Sequence, residues 1–303
     1  MTEVVPQDLN INEKIAREAI GEAFDLSINS LELIGEGWDN LVYLINKKII
    51  FRFSRRKVGI PLLERERRVL KGVAKHLTLE APYPEYLSEG TKSYPHPFYG
   101  HQKIQGSTGC SVNLREEQFR AAAVKLAEFL KKLHSLDISQ VKSPKDSMEG
   151  FFDRAEALRM RKAFNERLKA VEPFYDFSTF KEKIYFIQEQ AKPYEVSKDK
   201  RSFVHGDLYH RHLIFSDDGS LSGIIDWGDC CITDPVVDLA VLFQFFPYVV
   251  HKDFFKIYGG ISESEYAYAK FLGLYYAVAM LWYGHDRKDQ RLIQGSLQTL
   301  KNI

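Results

Sequence analysis

The sequence predicts an α+β fold with two unequal lobes, a small β-rich lobe first and a larger helical lobe after it. Two runs rich in β-forming residues, 41–45 and 49–53, lie near the N-terminus. Further along the chain, apolar residues recur mainly at helical spacing. The 303 residues are enough for two lobes. We expect the small lobe to span residues 1–105, the large lobe residues 107–303, and the connector between them about residues 100–106.

The small lobe is predicted to contain an amphipathic helix, a hairpin and a second helix. Apolar residues recur at helical spacing over residues 11–24, and the polar residues 46–48 join the two β-rich runs. The segment PLLERERRVLKGVAKHL suits a helix, with Pro61 near its start. Four prolines between residues 82 and 100 indicate loops around short strands.

The large lobe is predicted to be helical around one hairpin. Helical spacing covers four stretches, residues 115–135, 150–172, 178–191 and most of 236–300. The β-rich runs 213–215 and 221–225 flank SDDGS, an insert with Asp-Gly at its centre, which is typical of a hairpin. If the hairpin folds near residue 218, paired positions sum to roughly 437, so His212 lies across from Ile225 and next to Asp226.

Composition and charge disfavour several classes of protein. The formal net charge is +1, and the charged residues, 27% of the chain, form no basic tract that would bind nucleic acid. The start lacks a basic region followed by an apolar run, and no segment approaches the ~20 apolar residues of a membrane span, so we expect a cytoplasmic protein. Cys230 and Cys231 are adjacent and Cys110 stands alone, which is neither a disulfide framework nor zinc-finger spacing.

The stretch VHGDLYHRHLIFSDDGSLSGIIDWGD, residues 204–229, carries the candidate chemistry. The hairpin brings His212 and Asp226 together at its open end, and the preceding loop delivers Asp207. A carboxylate and an imidazole held together in this way could bind a divalent cation beside a general base. The alternative is that each is an ordinary polar loop residue, but their convergence at one end of one hairpin favours a site.

Five segments resemble the aminoglycoside phosphotransferase family, small-molecule kinases with a two-lobed, protein-kinase-like fold. They are, along the chain, GEGWDNLVYLINKKIIFRF, LAEFLKKLH, HGDLYHRH, IIDWGD and DPVVDLA. The resemblance spans about Gly35 to Asp289 and implies Mg²⁺ as cofactor and ATP or GTP as co-substrate. It also implies that Asp207 accepts or orients the proton of the acceptor hydroxyl. His212 and Asp226 are then the ligands of the magnesium ions that bridge the nucleotide phosphates.

Two positions depart from the pattern of this family. His212 stands where asparagine is usual, but a neutral imidazole can still donate one nitrogen to a cation, although magnesium prefers oxygen. Macrolide phosphotransferases, a branch of the family, are similar in this histidine and in the IDW that follows, which indicates a subclass. Arg52 replaces a strand residue that is often lysine, and its forked donors suit phosphate. We expect Glu66 to pair with Arg52. The alternatives are that Arg52 is a surface charge on the strand, or that Arg55 or Arg56 takes its place.

Two further segments are predicted to contact the nucleotide. Gly37, Asp39 and Asn40 belong to GEGWDN, which suits a turn over phosphates but matches neither G-x-G-x-x-G nor the P-loop pattern, so a plain β-turn is the alternative. By resemblance, the connector PFYGHQKIQG binds the purine edge through backbone groups. The candidates there are His101, Gln102 and Ile104. Backbone contacts leave no side-chain signature, so the choice between ATP and GTP stays open.

Four more polar residues are assigned supporting or substrate roles. His205, two residues before the base, is expected to support the loop through hydrogen bonds, without touching substrate. Asp238, in DPVVDLA, is expected to brace the same loop by accepting backbone N–H bonds from the start of a helix. Asp229 and Asp234 either face the substrate or cap backbone N–H groups.

The predicted function is therefore phosphoryl transfer to a hydroxyl of a small molecule, in particular a macrolide or aminoglycoside antibiotic. A polycationic aminoglycoside needs a carboxylate-rich pocket, whereas aromatic residues in the large lobe favour an apolar wall. These aromatic residues are Phe151, Phe152, Phe164, Phe174, Tyr175, Phe177, Phe243, Phe245, Phe246 and Tyr248. Most of them must be core.

Three alternatives remain open at this point. Kinases of homoserine, choline or a thiosugar occur on related folds. A metal-dependent hydrolase could use the same His and Asp residues, but it needs a further ligand cluster that the sequence does not clearly offer. A nucleotide-binding relative without activity would be consistent with His212 and Arg52. In each case we expect a monomer whose partners are a nucleotide and a small molecule, with no nucleic acid and no membrane.

Overall fold

A computed structural model describes residues 7–137, 153–196 and 200–303, which form two lobes with separate hydrophobic cores. The first lobe contains a five-stranded sheet and the second is mainly helical, so the predicted α+β fold is confirmed. The described strands are β1 (Leu31–Glu36), β2 (Asn40–Ile45), β3 (Ile49–Ser54), β4 (Tyr86–Ser88), β5 (Phe98–Gln102), β6 (Ser107–Thr108), β7 (Ser202–Val204), β8 (Leu213–Phe215), β9 (Leu221–Ile224) and β10 (Cys231–Thr233). The described α-helices are α1 (Glu13–Ala23), α2 (Gly59–Val73), α3 (Glu116–His134), α4 (Ala157–Val171), α5 (Lys181–Gln190), α6 (Ala240–Phe245), α7 (His251–Tyr258), α8 (Glu263–Arg287) and α9 (Gln290–Asn302).

The sheet of the small lobe is antiparallel, in the order β1-β2-β3-β5-β4. Side chains alternate between its two faces. Phe51 and Phe53 of β3 are therefore fully buried in the core with Phe98 of β5. Arg52, which lies between these two phenylalanines, points from the opposite face, where it pairs in register with Val42 of β2. This alternation directs Arg52 towards the second lobe.

The β2–β3 connection has the backbone geometry of a tight turn. Asn46 and Lys47 adopt left-handed φ angles of 50° and 58°. Asparagine tolerates this region better than most residues. Its side-chain oxygen also accepts the backbone N–H groups of Asn29 and Ser30, at 2.9 and 3.0 Å. The predicted hairpin over residues 41–53 is thus present and fixed at its turn.

The large lobe is organised around α8, whose residues are buried on almost every side. A helix that is apolar all round belongs in the centre of a core. Helices α4, α6 and α9 pack against it, and Asp234 caps a short 3-10 helix, Pro235–Leu239, by accepting the N–H of Val236 at 3.0 Å. Among the described residues, no helix is long and apolar enough to cross a membrane.

The observed elements differ from the predicted ones mainly at their ends. Helix α2 begins before Pro61 and ends at Val73, and the long helical stretch 236–300 is divided into α6, α7, α8 and α9. Helix α4 begins only at Ala157, and residues 150–152 of the predicted helix lie outside the described residues. The lobe boundary near residue 105 stays a prediction, because α2 also contributes to the core of the large lobe.

Candidate functional site

A cleft of about 510 Å³ lies between the small-lobe sheet and the large lobe. Its walls come from β1 and the β1–β2 connection, β3, the segments that flank the hairpin β8–β9, and α8. The charged and histidine residues that line it are Glu36, Asp39, Arg52, His101, Arg154, Arg167, Asp207, Arg211, His212, Asp226 and Asp229. The segment that contains the predicted base and both predicted metal ligands therefore faces the cleft together with the predicted phosphate-binding arginine.

The hairpin has the register that the sequence predicts. Leu213 pairs with Ile224, a sum of 437, and the N–H of Ile225 donates to the carbonyl of His212 at 3.0 Å. The chain then turns sharply, because Asp226 has a φ of 67°, a left-handed value that aspartate tolerates better than most residues. His212 Nε2 consequently lies 3.3 Å from Asp226 Oδ2. The two candidate ligands meet at the open end of the hairpin.

The orientation of His212 leaves one nitrogen for a cation. Its Nδ1 lies 2.8 Å from the carbonyl oxygen of Asp207, which can only accept, so Nδ1 carries a proton and Nε2 faces Asp226. Burial alone would lower the pKa of His212, but the hydrogen bond and charge of Asp226 raise it above its ordinary value. The carboxylate of Asp226 thus stabilises the protonated form of His212.

The donor set suits a nucleotide-bound magnesium ion. Within the described parts of the chain, no group of three or more His, Cys, Asp or Glu side chains is arranged to hold a metal. Magnesium in kinases needs only one or two protein carboxylates, because phosphates and water supply the other oxygens. The Asp226 carboxylate is partly exposed, at 44%, so it can reach such an ion. Asp226 and His212 therefore fit a metal that arrives with the nucleotide, and they do not fit a metal site built from protein alone.

Arg52 lies between two carboxylates. Its Nη2 donates to Asp226 Oδ1 at 2.7 Å, and its Nε lies 3.3 Å from Glu66 Oε2. Glu66 is fully buried and also accepts the N–H of Trp227 at 2.9 Å. Burial would lower the pKa of Arg52, but Glu66 and Asp226 raise it above its ordinary value, so the guanidinium stays charged. The predicted pair of Arg52 with Glu66 is present, and Arg52 is not a surface charge.

The two neighbouring arginines stabilise the connection between β1 and β2 instead. Arg55 Nη1 pairs with Glu36, and Arg56 Nη1 donates to Asp39 Oδ1 at 2.9 Å. Burial raises the pKa of Asp39, against the lowering effect of Arg56. Since Arg55 and Arg56 bind these two carboxylates and do not line the cleft, neither takes the place of Arg52.

The connection between β1 and β2 covers one end of the cleft. The N–H of Gly37 donates to the carbonyl of Asn40 at 2.9 Å, which closes a tight turn, and Gly37, Asp39 and Asn40 all line the cleft. The ring of Trp38 lies 5.3 Å from that of Trp282 and 5.6 Å from that of Tyr283, both on α8. The turn of the small lobe therefore contacts the large lobe across the cleft.

Asp207 makes two contacts that the sequence did not indicate. Its Oδ1 accepts a hydrogen bond from the hydroxyl of Tyr276 at 3.0 Å and lies 2.8 Å from Arg154 Nη2. Arg154 also donates to Asp229 Oδ2 at 3.2 Å and to the carbonyl of Gly206 at 2.9 Å. Burial raises the pKa of Asp229, against the lowering effect of Arg154. The second oxygen of Asp207, Oδ2, remains on the side of His212, at 4.0 Å from Nδ1.

His205 and Asp238 hold the loop that carries Asp207. The carboxylate of Asp238 accepts the N–H groups of His205 and Gly206, at 2.8 and 2.9 Å, and lies 3.1 Å from His134 Nε2. His205 Nε2 lies 3.0 Å from the carbonyl of Ile225, so its ring connects the loop to the hairpin. Both residues are fully buried. The N–H donors come from the loop itself, however, and not from the start of a helix.

The remaining predicted residues divide between the cleft and other places. His101 lines the cleft, and burial lowers its pKa to about 4, so its ring is neutral. Gln102 and Ile104 instead line a separate pocket. Asp229 lines the cleft, whereas Asp234 is buried away from it and caps Val236. Of the two options left open for Asp234, the structure thus shows the cap.

The aromatic wall of the cleft is not the one that the sequence suggested. Phe151 and Phe152 lie outside the described residues, and none of the other eight aromatic residues named for the apolar wall lines the cleft. Its aromatic residues are Trp38, Tyr209, Tyr275, Tyr276, Trp282 and Tyr283. Four of these belong to α8. The sequence alone does not distinguish them from core residues, because tyrosine and tryptophan side chains are often largely buried.

The chain is similar to known proteins in sequence and in fold. Residues 30–272 match the family model described as APH, phosphotransferase enzyme family. The GDP complex of wild-type aminoglycoside 2'-phosphotransferase-IIIa is similar with a TM-score of 0.70 at 24% identity, covering 96% of this chain and 98% of that one. The streptomycin-ATP ternary complex of APH(2")-IIa is similar with a TM-score of 0.58 at 22% identity, covering 97% of both chains. Macrolide 2'-phosphotransferase type I is similar with a TM-score of 0.59 at 19% identity, covering 95% of both. At these identities the structural likeness shows the fold alone.

Proposed function

The chain belongs to the phosphotransferase enzyme family whose motifs its sequence resembles, and on this basis we propose that it transfers the γ-phosphate of ATP or GTP, with Mg²⁺, to a hydroxyl of a small molecule. The observation that supports this most directly is the meeting of Asp207, His212, Asp226 and Arg52 in one cleft. A base, a metal-binding pair and a phosphate-binding cation are the groups that phosphoryl transfer to an alcohol requires.

The contacts of each residue support its proposed role. Asp207 Oδ2 accepts the proton of the acceptor hydroxyl, because Oδ1 is already bonded to Arg154 and Tyr276. Asp226 and His212 Nε2 would hold Mg²⁺, which would supply positive charge that offsets the charge on the transferring group. Arg52 binds the phosphates, and Glu66 fixes its direction. Asp238 and His205 keep the loop of Asp207 in place.

The nucleotide lies between the small-lobe sheet and the hairpin. Gly37, Asp39 and Asn40 cover its phosphates, and the backbone of residues 101–104 binds the purine edge. GDP and ATP in the complexes of similar structures support a purine nucleotide as co-substrate. Either ATP or GTP serves in the proposal, since backbone contacts do not distinguish them here.

The acceptor is an antibiotic in the leading form of this proposal. The similar structures include aminoglycoside and macrolide phosphotransferases, and His212 follows the macrolide pattern. Homoserine, choline and thiosugars are the alternative acceptors. We also propose that the enzyme is a cytoplasmic monomer with lobes at residues 1–105 and 107–303.

The test is direct assay of phosphoryl transfer. The purified protein is incubated with ATP or GTP, with and without Mg²⁺, and with one acceptor at a time: an aminoglycoside, a macrolide, homoserine, choline and a thiosugar. We expect mass spectrometry to detect one acceptor with an added phosphate, only with Mg²⁺ and not with the Asp207→Asn variant. Stabilisation by nucleotide without any product on the panel would favour a nucleotide-binding relative without activity.

A further inference from the structure

The half of the cleft that faces α8 is cationic and aromatic. We call the residues Arg154, Arg167, Tyr275, Tyr276 and Met280 the acceptor wall; all five line the cleft, next to Asp207 and Asp229. If Asp207 is the base, as proposed above, the acceptor hydroxyl must lie against this wall. The charges and donors of the wall therefore indicate the chemistry of the acceptor.

The carboxylates of the cleft already have cationic partners. Arg154 lies 2.8 Å from Asp207 Oδ1 and 3.2 Å from Asp229 Oδ2, so a single guanidinium pairs with both carboxylates of the acceptor side. The other three cleft carboxylates are paired as well: Glu36 with Arg55 and Arg287, Asp39 with Arg56, and Asp226 with Arg52. A buried ammonium needs a carboxylate of its own. A polycationic acceptor would thus find the carboxylates of this cleft occupied.

Arg167, in contrast, is a cation whose donors are mostly unused. Its guanidinium carbon lies 5.0 Å from the centre of the Tyr275 ring. Among the described residues, its one hydrogen bond is a long one of 3.4 Å from Nη1 to the carbonyl of Ala163 on its own helix, and no carboxylate lies within 4.0 Å. A guanidinium offers five N–H donors in a planar fork, which suits a carboxylate or phosphate. Arg167 therefore presents free donors to the cleft.

We propose that the acceptor carries an anionic group, a carboxylate or a phosphate, which binds the guanidinium of Arg167 beside Tyr275. Arg154 acts as a specificity-determining residue, because it occupies the carboxylates that an ammonium would use. The inference rests on the proposed function in one respect, that the ligand of this wall is the phosphoryl acceptor. It disfavours cationic acceptors, aminoglycosides and macrolides with an amino sugar alike, so on this inference the antibiotic form of the proposed function gives way to an acceptor that carries an anion.

Three small ligands with the same phenol ring and different charges test the proposal. They are (4-hydroxyphenyl)acetate, which is anionic, tyrosol, which is neutral, and tyramine, which is cationic. Dissociation constants are measured by isothermal titration calorimetry with the whole protein in the presence of Mg²⁺ and ADP. We expect the acetate to bind about tenfold more tightly than tyramine, with tyrosol between them. Adding (4-hydroxybenzyl)phosphonate distinguishes a preference for phosphate from one for carboxylate.

Variants on one helix show whether Arg167 is responsible. Arg167→Gln should bring the affinities for the acetate and tyramine within about twofold of each other, whereas Arg167→Lys should retain part of the preference. Lys169→Gln is the matched control, because it removes the same charge from an exposed position of α4 and should leave the preference unchanged. Equal or tighter binding of tyramine by the unmodified protein would overturn the proposal, and so would an unchanged preference in Arg167→Gln.

The binding experiment is independent of catalysis. Ligand preference is measured with ADP, so it does not require any phosphoryl transfer. Loss of the proposed function would appear as absence of product with every acceptor, while the preference for an anion would remain. If the preference for an anionic acceptor is wrong, the protein still transfers phosphate but binds tyramine at least as tightly as the acetate.

Discussion

The guanidinium of Arg52 joins the two lobes through Asp226. Arg52 belongs to β3 of the small lobe, Asp226 follows β9 of the large lobe, and Arg52 Nη2 lies 2.7 Å from Asp226 Oδ1. On its other side Arg52 faces Glu66 of α2. The proposed phosphate-binding group is thus held by one carboxylate from each lobe. Its removal would affect both the stability of the protein and the binding of nucleotide.

Substitution of Arg52 should therefore be costly for folding. Arg52→Met leaves the buried carboxylate of Glu66 without a cationic partner, and breaking a buried pair in this way costs about 3–5 kcal/mol. Arg52→Lys keeps the charge but not the fork, so its loss should be smaller. Urea denaturation measures both effects, and nucleotide titration of the folded variants should show weaker binding in the same order. A free energy of unfolding unchanged in Arg52→Met would contradict the assigned pair.

Substitution of Asp207 should lower the rate of phosphoryl transfer without weakening the binding of nucleotide. Asp207→Asn retains an oxygen for Arg154 and Tyr276 but removes the basic carboxylate. We expect kcat to fall by about 10²–10⁴-fold, the usual effect of a lost general base, while affinities for nucleotide and Mg²⁺ stay near those of the parent. Asp217→Asn, at an exposed position of the hairpin turn, is the control for a change of charge alone. Turnover within a few-fold of the parent would remove Asp207 from the role of base.

The sequence was sufficient to predict the site wherever the relevant contacts are local. The His212–Asp226 contact follows from the register of a hairpin with a five-residue connection, and the direction of Arg52 follows from strand alternation. Arg154 and Tyr276 could not be predicted, because they reach Asp207 from positions 53 and 69 residues away in the chain. Contacts between residues so far apart in the chain leave no periodic pattern in the sequence. Only the packing of α8 and of the segment before α4 against the loop brings them together.

The stability of the loop that carries Asp207 should depend on pH through Asp238. Burial would raise the pKa of Asp238, but its hydrogen bonds with His134 and with backbone N–H groups lower it below the ordinary value. A carboxylate with a lowered pKa in the folded state stabilises the protein above its unfolded-state pKa, about 4, and this contribution is lost as pH falls through the folded-state pKa.

Asp238→Asn tests this dependence. At pH 7 the variant should lose about 1.5–3 kcal/mol of free energy of unfolding, because an amide oxygen replaces a charged acceptor of two backbone N–H groups. The difference between parent and variant, measured by urea denaturation at decreasing pH, should shrink below about pH 4. Asp217→Asn should show no comparable effect. A difference that is constant down to acid pH would mean that Asp238 is not charged in the folded protein.

The magnesium requirement should reveal whether His212 is a metal ligand. Mg²⁺ prefers oxygen, so His212→Asn, which supplies an amide oxygen, should keep measurable activity and need no more magnesium than the parent. His212→Ala removes the ligand, so it should need several-fold more magnesium for half-maximal rate. The alternative is that His212 only packs beneath the hairpin, held by its hydrogen bond to the carbonyl of Asp207.

The two explanations differ in what each variant changes. A packing role predicts that His212→Asn and His212→Ala lower the free energy of unfolding alike and leave the magnesium dependence of the rate unaltered. A ligand role predicts that His212→Ala needs more magnesium than His212→Asn. This difference should persist when each variant is assayed at a temperature at which the same fraction of it is folded. Initial rates against magnesium concentration, with urea denaturation of the same three proteins, distinguish them. Since His212 Nε2 faces Asp226 Oδ2 at 3.3 Å, we expect the magnesium requirement to change. An unaltered requirement in His212→Ala would leave Asp226 as the sole protein ligand assigned to the ion.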